Sequence, residues 1–167
     1  MHIRRAEESD GAQLIELRRR LFQETSNMLW EPDEFKQTAE DETKRISRLH
    51  CRPNSLVVMA EDEGAAIGIL TAVGGDVRRL RHSAQLAVGV ARSHWGKGVA
   101  TQMLEFTTSW ADGCRLTRLE LTVHTTNLRA LGVYLRAGFE VEGLRRKSLL
   151  VDGRFIDEDL MSRHSDA

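Results

Sequence analysis

The chain has 167 residues, 41% of them hydrophobic, enough to bury one core without cross-links, so a single domain over 1–167 is expected. Its 24 Lys and Arg nearly cancel its 25 Asp and Glu, which gives nucleic acid no global electrostatic footprint, and no apolar run approaches membrane-spanning length. Cys51 and Cys114 are too few for a disulfide framework or a cysteine-built metal site, and the charged N-terminal stretch lacks a secretory apolar segment, so a cytoplasmic protein without a membrane or metal partner is expected.

In chain order, His2 to Arg5 reads as a strand, and Ser9 or Asp10 can cap a helix whose stripe is Leu14, Leu17 and Leu21, widened by Ile15 and Phe22. A loop with Trp30 and Pro32 follows. Thr38 can cap a second helix that turns Ala39, Ile46 and Leu49 inward and carries acids in its first turn. After Pro53 and Asn54, Ser55 to Ala60 and Ala66 to Ala72 read as strands joined by Glu61-Asp62-Glu63-Gly64, an antiparallel hairpin.

Leu86-Ala87-Val88-Gly89-Val90 is a short apolar strand, and beyond it Val99, Met103, Phe106 and Trp110 recur at helical spacing. Between them stands Trp95-Gly96-Lys97-Gly98-Val99-Ala100-Thr101. A helix start carries unpaired N–H groups and the positive end of the dipole, glycines let an anion approach the backbone, and Lys97 adds a charge, so this turn suits a phosphate. A glycine turn before a helix also serves as a plain cap. Neither common nucleotide motif fits: Gly98 follows the lysine where a P-loop needs Ser or Thr, and Thr101 stands where the dinucleotide fingerprint needs a small residue.

Leu119 to Val123 alternates as a further strand, and Asn127 opens a helix with Ala130, Leu131, Tyr134 and Leu135 that Gly138-Phe139 ends. Phe139 to Val151 and Phe155 to Met161 flank Asp152-Gly153, a strong hairpin signal. The apolar run Leu149-Leu150-Val151 fits either a homodimer edge or the core. A mixed, mostly antiparallel α/β sheet with helices on both faces follows from this order.

The succession of glycine turn, helix, strand and Asn127-x-x-Ala130-x-x-x-Tyr134-x-x-x-Gly138-Phe139 resembles the GNAT superfamily of N-acetyltransferases. Ile3-Arg4-Arg5-Ala6 with Asp10 is similar to that superfamily's opening, and Asp152 to Met161 to the close of a subset of it. The resemblance implies a pair of central strands splayed apart, with Val88, Gly89 and Val90 receiving the pantetheine of acetyl-coenzyme A and Gly96 to Thr101 its pyrophosphate. It also implies direct attack of an amine on the acetyl carbonyl, with Tyr134 protonating the leaving thiolate. Asn127 is a helix cap and a candidate cofactor contact. Trp95 replaces the family's usual Arg or Gln and reads better as a packing anchor than as a phosphate ligand.

A lysine-like amine is neutral in only about one molecule in a thousand at pH 7, so a base or a water relay is needed. Glu120 shares a strand face with Thr122 and His124 and is the candidate base, although some relatives carry that carboxylate where Thr122 stands. Glu24, Glu31 and Glu34 can attract a cationic acceptor, a small-molecule amine or an amine of a protein, or serve as caps. The alternative is a non-catalytic acyl-coenzyme A sensor, which would keep the phosphate turn and need no acid.

Overall fold

The computed structural model describes residues 1–165. Its strands are β1 (His2–Arg5), β2 (Leu56–Asp62), β3 (Ala65–Gly74), β4 (Ser83–Val90), β5 (Arg118–His124), β6 (Glu140–Val151) and β7 (Arg154–His164). The helices are α1 (Gly11–Glu24), α2 (Ala39–His50), α3 (Val99–Gly113) and α4 (Leu128–Arg136). The strands form one sheet in the order β1-β2-β3-β4-β5-β7-β6. Every neighbouring pair is antiparallel except β4 and β5.

Layering follows from side-chain alternation. Along β2, Leu56, Val58 and Ala60 join the core under α3 and α4, whereas Val57 and Met59 join the core under α1 and α2. Both faces of this strand are therefore dry, which is why it reads as a continuous apolar run rather than an alternating one. The turns behave as their residues require: Glu63-Gly64 and Asp152-Gly153 all take positive φ, the mirror-image turn whose twist matches a hairpin.

Two expectations need correction. Asp10 does not cap α1 with its side chain. Its buried carboxylate instead accepts from Arg4 Nη1 and Nη2 at 2.7 and 2.8 Å and from the Glu7 N–H at 2.7 Å, tying β1 to the helix entry. The hydrogen bonds from Arg4 hold the Asp10 carboxyl below the usual carboxylate range. The run Leu149-Leu150-Val151 is not core, because β6 is the sheet edge and Leu150 is exposed, as are Val141 and Leu144 on the same strand and Phe155 opposite Leu150. Thr38 caps α2 as expected: its hydroxyl accepts from the Asp41 N–H, and Asp41 returns a bond to the Thr38 N–H at 2.8 Å.

Candidate active site

β4 and β5 are paired only at Ser83, Ala84 and Gln85, opposite Arg118, Leu119 and Glu120. Past that register the strands part, as the splayed pair requires. On its other edge β4 stays paired to β3 through Val90, and the Gly75 N–H to Ser83 and Ala91 N–H to Ile67 bonds bracket this ladder. Antiparallel alternation between those bonds assigns the backbone groups of Ser83, Gln85, Ala87, Gly89 and Ala91 to β3. Val88 and Val90 consequently turn their N–H and C=O groups toward the opening.

Gly89 is not among the groups facing the opening. Its missing side chain serves packing, since a Cβ there would stand 2.6 Å from Leu21 Cδ1 of α1. Trp95 is the packing anchor its type suggested: its indole N–H donates to Val90 C=O at 2.7 Å, and Arg129 of α4 stacks on its ring at 4.8 Å. The indole thus closes one strand carbonyl and links the glycine turn to α4. Arg129 escaped the sequence reading, although a cation beside a helix N-terminus opposes the dipole and so signals a specific contact.

A short turn, Arg92–His94, leads from β4 to the glycines, and Gly96 and Gly98 both take φ near +80°. No protein atom lies within 4 Å of a Cβ built on Gly96, and only Gln102 Nε2, at 3.9 Å, approaches one on Gly98. The first backbone bond of α3 runs from the Gln102 N–H to Gly98 C=O, so the amides of Val99, Ala100 and Thr101 precede the helical ladder. Val99 itself buries its side chain in the core and offers only backbone. Lys97 is exposed and has no carboxylate partner among the described residues. The arrangement is an open, positive, main-chain cradle at the mouth of the strand opening.

Tyr134 sits in the larger core cluster, its ring 6.0 Å from Phe139, and its hydroxyl bonds no protein group among the described residues. Burial raises its phenol from 10.0 to about 12, so the group stays protonated throughout the physiological range. Asn127 caps α4, its Oδ1 accepting from the Ala130 N–H at 3.2 Å, and that bond fixes the entry of the helix carrying Tyr134.

On the sheet face opposite α3 and α4, Glu120 stands at the fork itself, the last β5 residue paired with β4. It accepts from Arg118 Nε at 2.9 Å and lines a pocket of about 170 Å³ with Gln85, Thr122, Glu142 and Leu160. Arg118 also donates to both oxygens of Glu142, whose carboxyl it holds well below the usual range. Arg118 and Glu142 were not legible in advance, because only the β5-β7-β6 order makes them neighbours.

The three acidic candidates do not gather into an acceptor site. Burial opposes the charge of Glu24, yet bonds from the Arg92 N–H (2.7 Å) and Arg20 Nε (2.6 Å) more than offset it and keep its carboxyl below the usual range. Glu24 therefore ties the end of α1 to the turn that leads from β4 to the glycines. Glu31 and Glu34 are exposed and stabilise their own turn, the Glu31 N–H donating to Glu34 Oε2 at 3.1 Å and the Glu34 N–H to Glu31 C=O. Both act as caps. Among the described residues, no three His, Cys, Asp or Glu side chains converge as metal ligands would.

The sequence of residues 13–139 matches the model of the acetyltransferase (GNAT) family. The L-amino acid N-acetyltransferase AaaT of Escherichia coli K12 is 33% identical over 120 residues, covering 70% of this chain and 72% of that protein. An acetyltransferase of the GNAT family from Streptococcus pneumoniae superposes with a TM-score of 0.95 at 29% identity, over 98% of this chain and 99% of that one. The Salmonella typhimurium protein solved with acetyl-coenzyme A as cofactor superposes at 0.89 over 100% of this chain and 95% of its own, and at 18% identity it speaks to the fold. A matched family model across the splayed strands, the glycine cradle and α4 means that the chain belongs to the acetyltransferase (GNAT) family.

Proposed function

We propose that this enzyme transfers an acetyl group directly from acetyl-coenzyme A to a primary amine, with Tyr134 as acid and Glu120 as the proton acceptor. The family makes the chain an acetyltransferase with acetyl-coenzyme A as donor. Its main support is the fork between β4 and β5, which leaves Val88 main-chain groups free on the strand that runs into the glycine turn.

The residues present fit the donor. Amides ahead of the α3 ladder, with open space at Gly96 and Gly98 and Lys97 beside them, suit a pyrophosphate. Val88, which offers both N–H and C=O, and Val90, which retains its N–H, suit the amides of a pantetheine arm as an added strand would. Acetyl-coenzyme A supplies an activated carbonyl and a thiol leaving group.

The chemistry asked of the protein is modest. As the C–N bond forms and the C–S bond breaks, the nitrogen passes from ammonium to amide and gives up two protons, one before attack and one as the intermediate collapses, the second ending on the released thiol, whose departing sulfur is met by a hydrogen-bond donor. Proton transfer from a phenol at about 12 to a thiolate near 8.5 is uphill by roughly 5 kcal/mol, so Tyr134 acts chiefly by hydrogen bonding to the departing sulfur. Glu120, oriented by Arg118 at the fork, takes the amine proton directly or through one water.

The test pairs calorimetry with acetyl-coenzyme A and a thiol-release assay over a panel of amines. Binding with thiol release for at least one amine is expected. Binding without transfer to any amine would favour a sensor, and the absence of binding would remove the proposal.

A further inference from the structure

Over the sheet face that carries the fork, two arginines share one buried carboxylate. Arg45 of α2 donates from Nη1 to Glu42 Oε1 at 3.0 Å and from Nη2 to Thr71 Oγ1 at 2.9 Å, which uses two of its five N–H groups. Arg18 of α1 brings its Nε within 3.4 Å of the same Glu42 oxygen but outside hydrogen-bond geometry, and that Nε is a buried nitrogen without a partner. Both side chains are largely buried, and Glu42 almost wholly so. The cluster carries one more positive charge than negative, in a place where an unmatched charge is costly. Burial and the neighbouring Arg18 charge lower the Arg45 guanidinium to about 10.

Its position is the telling part. Thr71 pairs with Ala87 of β4, so their side chains share one face, and Ala87 and Gln85 on that face are exposed. Leu21 of α1 lies over Gly89, which sets Arg18, one turn earlier, back along β4 toward Ala87. The arginine pair therefore overhangs the strand segment next to Val88, about one strand spacing from the fork.

We propose that Arg18 and Arg45 receive a carboxylate of the acceptor, which makes the acceptor an amino acid or another small amine bearing a carboxylate near its nitrogen. The inference rests on the acetyl-transfer reading for the identity of the amine, and on the cluster alone for the carboxylate. A polyamine would be repelled, and a peptide N-terminus lacks the adjacent carboxylate. Guanidinium forks match a carboxylate in charge and in planar geometry.

Neutral L-amino acids and their α-carboxamides, with spermidine alongside, form the decisive panel. In the thiol-release assay the acids should exceed the amides in kcat/KM by at least about 30-fold, although the α-ammonium group of the amides loses its proton more readily. Arg18→Gln should lower kcat/KM for the acids by about 100-fold, mainly through KM, and leave the amides within about threefold; Arg18→Lys should recover part of the loss. A thermal-shift titration needs no turnover: acids should raise the melting temperature of the wild type and amides should not.

Each failure is separable. If no amine releases thiol while acids alone still shift the melting temperature, the acetyl-transfer reading falls and the carboxylate subsite stands. If amides or spermidine are acetylated and bound as well as acids, or if Arg18→Gln depresses acids and amides equally, the subsite falls. Should that variant not fold, the wild-type comparison of acid with amide decides the matter.

Discussion

Replacing Tyr134 by Phe separates catalysis from packing at one position. The ring stays in the core beside Phe139, and the lost hydroxyl bonds no protein group among the described residues, so stability at pH 7 should change by less than about 0.5 kcal/mol. Turnover should drop by about 10² to 10³, roughly 3 to 4 kcal/mol of lost stabilisation of the departing sulfur. Alkaline stability gives an independent reading. The folded phenol titrates at about 12 and the unfolded one near 10.0, so between those values the native state holds the extra proton. Its contribution is fully present below pH 10 and is lost as pH rises from 10 through about 12, amounting to roughly 3 kcal/mol. Urea melts from pH 8 to 11.5 should show the wild type losing stability faster than Tyr134→Phe, and thiol release at saturating amine should show the variant slow at every pH. Unchanged turnover would remove the phenol from the chemistry. Tyrosine ionisation near pH 10 in the native protein would refute its burial.

Three further substitutions probe the parts around it. Gly98→Ala puts a methyl group in the cradle at φ +80° with no tight protein neighbour, so stability should fall by about 1 kcal/mol and the calorimetric Kd for coenzyme A should rise about tenfold; an unchanged Kd would count against the cradle. Glu120→Gln should cut kcat at least about tenfold with little effect on melting, because Arg118 keeps Glu142. A change under threefold would assign the proton to water alone. Asp10→Asn should cost about 2 to 3 kcal/mol in urea unfolding at pH 7. Because the Asp10 carboxyl is lowered from 3.8, its contribution is present above that value and disappears as pH falls through the lowered one, so the variant should be less acid-sensitive than the parent.

Local chemistry made much of this protein readable in one dimension. Asp152-Gly153, the Thr38 cap and the Asn127 cap each depend on residues within a few positions, and each formed as their types dictate. The glycine turn and the Tyr134 helix were legible for the same reason, since each is a contiguous stretch with its own backbone geometry. The boundaries of β4 were not, because it begins at Ser83 through pairing with β3 and β5 rather than through its own apolar run.

Side chains whose partners lie far along the chain were decided by tertiary structure alone. Glu24 looked like an acceptor contact until α1 brought it within 2.7 Å of the Arg92 N–H, 68 residues on. Gly89 matched a motif, but its lack of a side chain answers to Leu21. Charge gives no clue to distance in sequence, whereas a cap or turn is completed within a few bonds. That is why the sequence by itself determined the elements and the glycine turn, while the assembled sheet alone decided which carboxylates are spent on structure and which arginines share one buried carboxylate.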